Sequence, residues 1–231
     1  ELERPIMLVS WTTHAVAQVT IHDLSTGEQI GEVELPGIGT ISGMSGHPEG
    51  GHEVWFSYTD HATIPRVMKF DALTGELTVD AYPPGFVAVP RISATMKVCR
   101  SKDGTEVRLM VLEPIEFDGN PPDSPRPTVL YGYGGFGVSM APAYSPSILA
   151  WVEAGGVYTI ACLRGGNEEG EWWHRDGMLG KKQNVFDDFI AAAEWLIDDG
   201  WTTPDQLVIS GGSHGGLLVG AAMTQRPELF A

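Results

Sequence analysis

The segment at residues 207–218 restricts the fold of this chain more than any other part of its sequence. It begins with the apolar run Leu-Val-Ile, passes through a turn that holds four glycines, and ends in apolar residues. The pattern Gly-x-Ser-x-Gly, formed by Gly211, Ser213 and Gly215, lies at the turn. A serine between an entering strand and a leaving helix has an exposed hydroxyl, and small neighbours allow the backbone to approach closely. The segment therefore predicts a strand–turn–helix unit with Ser213 as a candidate nucleophile.

The flanks carry this prediction, because the pattern alone is weak in a chain with 29 glycines. A helix that starts at Ser213 adds partial positive charge, and its backbone N–H groups can stabilise a developing oxyanion. A serine hydroxyl remains a poor nucleophile until a base accepts its proton. The alternative is a glycine-rich turn with an incidental serine, which the strand and helix on either side disfavour.

Strands and helices alternate from residue 128 onward. Strands are predicted at residues 128–131, 156–163 and 206–210, and helices at residues 147–153 and 217–224. A further helix is predicted between Asn184, as its cap, and Gly200, with Asp187 and Asp188 in its first turn. This alternation predicts a parallel sheet with crossover helices. Before it, an Asp-Gly turn at residues 103–104 predicts a hairpin.

The first part of the chain contains an internal echo. Asp-Leu-Ser-Thr-Gly-Glu at residues 23–28 returns as Asp-Ala-Leu-Thr-Gly-Glu at residues 71–76, and each copy lies between two apolar runs. Hairpins that recur at intervals of roughly 40–50 residues are typical of β-propeller blades. Two blades cannot close a ring, so we expect residues 1–85 to be the C-terminal blades of a propeller that begins before residue 1. The Tyr-Pro-Pro-Gly run at residues 82–85 is the predicted boundary with a second domain at residues 86–231.

Charge and hydropathy limit the classes of partner, and cysteine content indicates the compartment. A formal net charge of −16 disfavours nucleic acid, because binding phosphates requires a basic surface. No apolar run reaches the length of a membrane span, so no membrane partner is expected. Cys99 and Cys162 each lie in an apolar run and are predicted to be buried free thiols. They favour a reducing compartment, the cytoplasm, with the periplasm as the alternative.

Four motifs together resemble one known family. They are Gly-Gly-Ser-His-Gly-Gly-Leu-Leu at residues 211–218, continued by residues 224–230; Tyr-Gly-Tyr-Gly-Gly-Phe-Gly at residues 131–137; Leu-Arg-Gly-Gly at residues 163–166; and residues 181–189. In this order and spacing they are similar to the prolyl oligopeptidase family of serine peptidases. The resemblance implies an α/β-hydrolase domain, here partial, preceded by a β-propeller. It also implies hydrolysis of short proline-containing peptides on the carboxyl side of proline, with no cofactor and no metal.

The resemblance also implies roles for four residues. Ser213 would attack the substrate carbonyl and form an acyl-enzyme. The hydroxyl of Tyr133 and the backbone N–H of His214 would form the oxyanion hole, and Phe136 would line the pocket for the proline ring. Tyr131 and Tyr133 could each be core residues instead, and the family match favours Tyr133 in the site. His214 is a departure, because many relatives resemble Gly-Gly-Ser-Asn-Gly-Gly, and its imidazole is expected to affect the pH profile.

The catalytic triad is not complete in this sequence. In α/β-hydrolases the triad follows the order Ser, Asp, His, and no Asp or His follows His214 here. We therefore expect a missing C-terminal polypeptide to supply both residues, and the isolated chain to be inactive. The upstream His174, Asp187 and Asp188 are interpreted as structural. The alternatives are an oligopeptidase of basic or N-blocked specificity, and a catalytically dead, propeller-based binding protein.

Three other patterns in the sequence resemble functional sites. Residues 132–137 match the dinucleotide pattern Gly-x-Gly-x-x-Gly, but Pro142 and Pro146 prevent a helix from starting at the last glycine. A group of His and Glu residues at positions 47–53 lacks a fixed spacing and is interpreted as a solvated loop, not a metal site. The run Trp-Trp-His at residues 172–174 fits either a recognition patch or a packed loop.

Overall fold

The computed structural model describes residues 5–85 and 88–231, and the chain forms two compact units. Among the described residues, the first unit contains residues 5–85, 88–89 and 141–145, and the second contains residues 90–140 and 146–231. Residues 1–4 of the predicted propeller segment and residues 86–87 of the predicted second domain lie outside the described residues.

The first unit consists of two antiparallel sheets. One has the order β1-β2-β3, and the other has the order β4-β5-β6-β7. The strands are β1 (Ile6–Thr13), β2 (Val16–Asp23), β3 (Gln29–Val33), β4 (Thr40–Gly46), β5 (Glu53–Thr59), β6 (Arg66–Asp71) and β7 (Glu76–Ala81). Their inward side chains form one apolar cluster of Val19, Val33, Phe56, Tyr58, Met68 and Phe70. Short, consecutive antiparallel strands that share such a core are the architecture of propeller blades.

The repeated hexapeptide forms the same turn twice. It joins β2 to β3 and β6 to β7. The Oδ1 atoms of Asp23 and Asp71 accept bonds from the backbone N–H groups two and three residues further on. Gly27 and Gly75 have φ angles of 74° and 75°, which other residues rarely adopt. Each glycine N–H donates to the carbonyl of its aspartate at 2.8 Å. The hairpins predicted from the echo are therefore confirmed.

The second unit contains a five-stranded mixed sheet with the order β12-β10-β11-β9-β8. Its strands are β8 (Ile92–Arg100), β9 (Glu106–Pro114), β10 (Thr128–Gly132), β11 (Val157–Cys162) and β12 (Leu207–Ser210). Its helices are α1 (Pro146–Glu153), α2 (Glu171–Arg175), α3 (Gln183–Asp198) and α4 (His214–Gln225). The strands β10, β11 and β12 are parallel, as predicted. The hairpin of β8 and β9 adds two antiparallel strands and makes the sheet mixed.

Both faces of this sheet are covered. Successive residues of β9 point to opposite faces. Leu109 and Val111 therefore join a core with α3 and α4, whereas Met110 and Leu112 pack with Val152 of α1. Cys99 and Cys162 are buried and free, which confirms the prediction for both thiols. None of the helices in residues 5–85 and 88–231 is both long and apolar enough to span a membrane.

The start of α3 differs from the sequence prediction. The helix begins at Gln183 with Lys182 as its cap, and no acidic residue lies in its first turn. The side chain of Asn184 donates instead to the carbonyl of Asp176 at 2.9 Å. Asp187 and Asp188 fall in the second turn, where the helix dipole contributes little. The prediction of Asn184 as a cap was therefore wrong, because a partner outside the helix engages its amide.

The strand register brings two loops to one edge of the sheet. Tyr131 of β10 pairs with Ser210 of β12 in parallel. The carboxyl ends of parallel strands lie at the same edge, so the loop after Gly132 and the turn after Ser210 are neighbours. Every residue predicted for the site follows one of these two strands.

Candidate active site

Ser213 lies in a strained turn between β12 and α4. Its φ of 54° and ψ of −116° fall outside the regions that residues other than glycine prefer. The turn closes at once into the helix, because Gly216 N–H donates to the Ser213 carbonyl at 3.0 Å. The side chain of Ser213 is exposed. Strained backbone of this kind clusters at functional sites, where the surrounding structure imposes it.

The two pattern glycines are required by close backbone contacts. A Cβ atom on Gly211 would lie 2.6 Å from the carbonyl oxygen of Gly215 and 2.9 Å from that of Gly132. A Cβ atom on Gly215 would lie 2.7 Å from the same Gly132 oxygen. Gly212 and Gly216, by contrast, face open space. The pattern Gly-x-Ser-x-Gly thus reflects the packing of the turn against the end of β10.

The loop after β10 carries Tyr133 and Phe136. Phe136 has a φ of 55° and is 78% exposed, so its ring projects from the surface. Two hydrogen bonds join the loop to residues that lie further along the chain. Gly137 N–H donates to the Gly165 carbonyl at 2.9 Å, and the Lys182 ammonium group donates to the Gly134 carbonyl at 2.7 Å.

The side chain of His214 joins the loop to the turn. Its ring centroid lies 5.6 Å from that of Tyr133 and 5.3 Å from that of Phe136, both in edge-on geometry. Burial, followed by the positive charge of Lys182, lowers the pKa of His214 below its ordinary value of 6.5. The structure therefore brings Tyr133, Phe136 and His214 together beside Ser213. Their roles in an oxyanion hole and a proline pocket remain predictions.

The upstream candidates for the triad are engaged elsewhere. Nδ1 of His174 lies 2.9 Å from the Gly165 carbonyl oxygen. The Asp187 carboxylate accepts from the side chain of Gln183 at 2.8 Å. Asp188 is fully buried and faces Arg164. These contacts agree with the structural interpretation of all three residues.

Arg164 is buried and forms ion pairs with Asp103 and Asp188. Its guanidinium group contacts both carboxylate oxygens of Asp188, and its backbone N–H donates to the same carboxylate at 3.1 Å. It also binds Asp103 and Ser101 in the turn between β8 and β9. The hydrogen bond from Arg164 lowers the pKa of Asp103 to about 2. The network fixes the end of β11 to α3 and to that turn.

Glu168 and Lys182 were not singled out from the sequence. Glu168 is only 3% exposed, and its Oε1 accepts from the Met140 N–H at 2.8 Å. Its Oε2 has no hydrogen-bond partner among the described residues, and burial raises its pKa to about 7. Lys182 lies within the family-like run at residues 181–189, but nothing local indicates that its partner is Gly134. Both residues bind backbone groups of the segment that carries Tyr133 and Phe136: Glu168 binds the N–H of Met140, and Lys182 binds the carbonyl of Gly134.

One group in the first unit has the ligand types of a metal site. Donor atoms of His52, Glu53 and Asp71 lie within 4.8 Å of one another. Lys69 Nζ is 2.9 Å from Glu53, and His52 Nε2 is 3.8 Å from Asp71. His47 is not in the group, and its Nδ1 accepts from the Glu49 N–H at 3.2 Å. Because a lysine already neutralises Glu53, the contacts are those of a surface ion-pair cluster.

Comparison with known proteins gives a consistent result. The profile of the prolyl oligopeptidase family matches residues 142–231. A prolyl endopeptidase of Elizabethkingia miricola is 39% identical over 215 residues, which is 93% of this chain and 30% of the relative. The similarity therefore extends well beyond the profile, into the first unit.

Solved structures support the same relationship. A structure from a study of two prolyl endopeptidases covers 100% of this chain with a TM-score of 0.85 and 41% identity. Oligopeptidase B from Trypanosoma brucei, with covalently bound antipain, covers 97% with a TM-score of 0.80 and 29% identity. This chain corresponds to 33% of either structure. Its fold is thus part of an α/β-hydrolase preceded by β-propeller blades, and the chain belongs to the prolyl oligopeptidase family.

Proposed function

We propose that the complete protein hydrolyses short peptides on the carboxyl side of proline through an acyl-enzyme on Ser213. The observation that carries this proposal is the strained turn that presents Ser213 at the start of α4, beside the loop of Tyr133 and Phe136. Residues 1–85 act as the C-terminal blades of a propeller, and residues 86–231 as part of the catalytic domain. The chain spans about 30% of the length of the curated relatives it matches.

The chemistry follows from the placement of Ser213. Its Oγ attacks the carbonyl carbon of the proline residue, while a base accepts the hydroxyl proton. The carbonyl oxygen becomes an oxyanion that accepts hydrogen bonds from the Tyr133 hydroxyl and the His214 N–H. The C–N bond then breaks, the amine leaves with the proton, and water releases the acyl group. A His and an Asp outside residues 1–231 supply the base and its orienting group.

Proline specificity is supported by the uncharged rings at the site. The exposed ring of Phe136 and the edge of His214 offer an apolar wall. The charged side chain that acts on His214 is the cation Lys182, which would repel a basic residue. Basic specificity is the second candidate. The net charge of −16 favours that candidate through long-range attraction of cationic peptides.

A serine-directed phosphonate tests the nucleophile and separates an enzyme from a binding protein. We expect the complete protein to gain one phosphonate on Ser213, measured by mass spectrometry of its peptides. Ser213→Ala should gain none, whereas Ser210→Ala, an exposed serine at the end of β12, should be labelled like the wild type. Residues 1–231 alone should remain unlabelled because the base is absent. Failure to label the complete protein would favour a catalytically dead binding protein.

We propose the cytoplasm as the site of action, with the periplasm as the alternative. The free, buried thiols of Cys99 and Cys162 support a reducing compartment. Fractionation of the source cells tests this, and recovery of the protein with periplasmic markers would contradict it.

A further inference from the structure

His214 has an environment that its predicted backbone role does not require. An oxyanion hole uses only the backbone N–H of this residue, yet its imidazole makes edge-on contacts with the rings of both Tyr133 and Phe136. A Cβ atom on Gly135 would overlap the imidazole, at 2.7 Å from Nε2 and 3.0 Å from Cγ. The side chain therefore fills the space between the turn and the loop.

The environment of the packed ring disfavours a second proton. Nε2 is buried and has no hydrogen-bond partner among the described residues. Among the described residues, the Gly134 backbone is the polar group that favours protonation, and its carbonyl also accepts from Lys182. Lys182 precedes α3 and brings a positive charge towards the ring, whereas the loop presents only the phenol of Tyr133. The helix α4 contains no other titratable side chain. A protonated ring would thus hold an unpaired N–H near a like charge.

We propose that the neutral imidazole of His214 is a positioning residue that holds the Tyr133 and Phe136 rings in the orientations used for the oxyanion and the proline ring. The inference rests on the proposed function and concerns the same site. Protonation of the ring disfavours this packing, so the rings lose their orientation in acid. The catalytic step then weakens through Tyr133, and substrate binding weakens through Phe136.

Two substitutions that keep the backbone N–H separate the effect of ring packing from the effect of ring titration. His214→Asn removes both edge contacts, and we expect kcat/KM for a Gly-Pro amide to fall about tenfold or more, with kcat and KM both affected. His214→Phe restores an aromatic ring without a titrating nitrogen and should recover most of that loss. Both variants should lack the component of the acid limb that belongs to His214. His47→Gln, an exposed histidine of the first unit, should keep the wild-type profile.

Nuclear magnetic resonance of the ring provides a readout that does not need activity. The Hε1 signal of His214, assigned by its loss in His214→Asn, should titrate below the ordinary value of 6.5 in the complete protein. A midpoint at or above 6.5 would overturn the proposal, even if the protein hydrolysed no peptide. In an active protein, His214→Asn and His214→Phe with equal losses and an unchanged pH profile would also overturn it. If neither a Gly-Pro amide nor an Arg-Arg amide is cleaved at any pH while the ring titrates as expected, the proposed function fails and the neutral packed ring stands.

Discussion

The turn at Ser213 is built by two carbonyl groups that leave no space for a side chain. Because the oxygen of Gly132 faces both Gly211 and Gly215, the end of β10 and the start of α4 share one close contact. The contact fixes the turn against the loop that carries Tyr133. Strain at Ser213 is thus held in place by packing on the adjacent strand, not by the four glycines in general.

Alanine at Gly215 and at Gly216 should have opposite effects on stability. Gly215→Ala places a Cβ 2.7 Å from the Gly132 oxygen, and such overpacking should destabilise the protein by about 1–3 kcal/mol. Gly216→Ala faces open space on α4 and should stabilise it by about 0.5–1 kcal/mol through helix propensity. Urea unfolding measures both free energies. Equal effects of the two substitutions would contradict the described contact.

The hydroxyl of Tyr133 should act mainly in the transition state. Tyr133→Phe removes the predicted oxyanion donor while its ring stays beside His214. We expect kcat to fall about 10²–10³-fold with little change in KM, measured by steady-state hydrolysis of a proline amide. Tyr131→Phe is the matched control, because Tyr131 lies in β10 and packs in the core cluster with α1. A large loss in Tyr131→Phe and none in Tyr133→Phe would show that Tyr131, and not Tyr133, is the oxyanion donor.

At the scale of secondary-structure elements, two ion pairs of Arg164 join β11, α3 and the turn between β8 and β9. Arg164 follows β11, Asp188 lies in α3, and Asp103 lies in the turn between β8 and β9. Both Arg164 and Asp188 are buried, so neither charge has access to bulk water. Removal of Asp188 leaves the buried Arg164 with the half-exposed Asp103 as its remaining ion-pair partner, which is more costly than the loss of a surface pair.

Two neighbouring aspartates of α3 test this difference. Asp188→Ala should destabilise the protein by about 3–5 kcal/mol, because the buried Arg164 loses its bidentate partner. Asp187→Ala removes only a contact with Gln183 and should change stability by about 0.5 kcal/mol or less. Thermal and urea unfolding measure both. Similar values for the two variants would mean that the buried pair does not stabilise the second unit.

The sequence predicted the elements better than their contacts. The strands β10 and β12 and the helix α4 have strong local signals, namely β-branched runs, glycine turns and apolar helices. By contrast, Arg164 and Asp188 are separated by 24 residues, and Lys182 and Gly134 by 48. No local pattern encodes such pairs, because they form only when the sheet and α3 are packed. For the same reason, the sequence predicts a helix-dipole contact for Asp188 and not its ion pair with Arg164.

At the scale of the whole molecule, Glu168 should make stability depend on pH. Burial raises its pKa from 4.5 to about 7, so the folded state keeps a proton that the unfolded state releases. The unfolding free energy of the wild type should therefore fall as the pH rises from about 4.5 to 7. Glu168→Gln lacks this titration, and its stability relative to the wild type should grow by up to about 3 kcal/mol by pH 7–8.

Urea unfolding of the wild type and Glu168→Gln between pH 4 and 8 measures this dependence. Parallel curves for the wild type and Glu168→Gln would show that Glu168 is charged throughout.

We propose Ser213 as the nucleophile of a proline-specific peptidase. The most direct measurement is hydrolysis of a Gly-Pro amide and an Arg-Arg amide by the complete protein, with Ser213→Ala as the control. We predict that the Gly-Pro amide is cleaved, that the Arg-Arg amide is cleaved far more slowly, and that Ser213→Ala abolishes both activities. Preference for the Arg-Arg amide, or activity that survives in Ser213→Ala, would contradict the account.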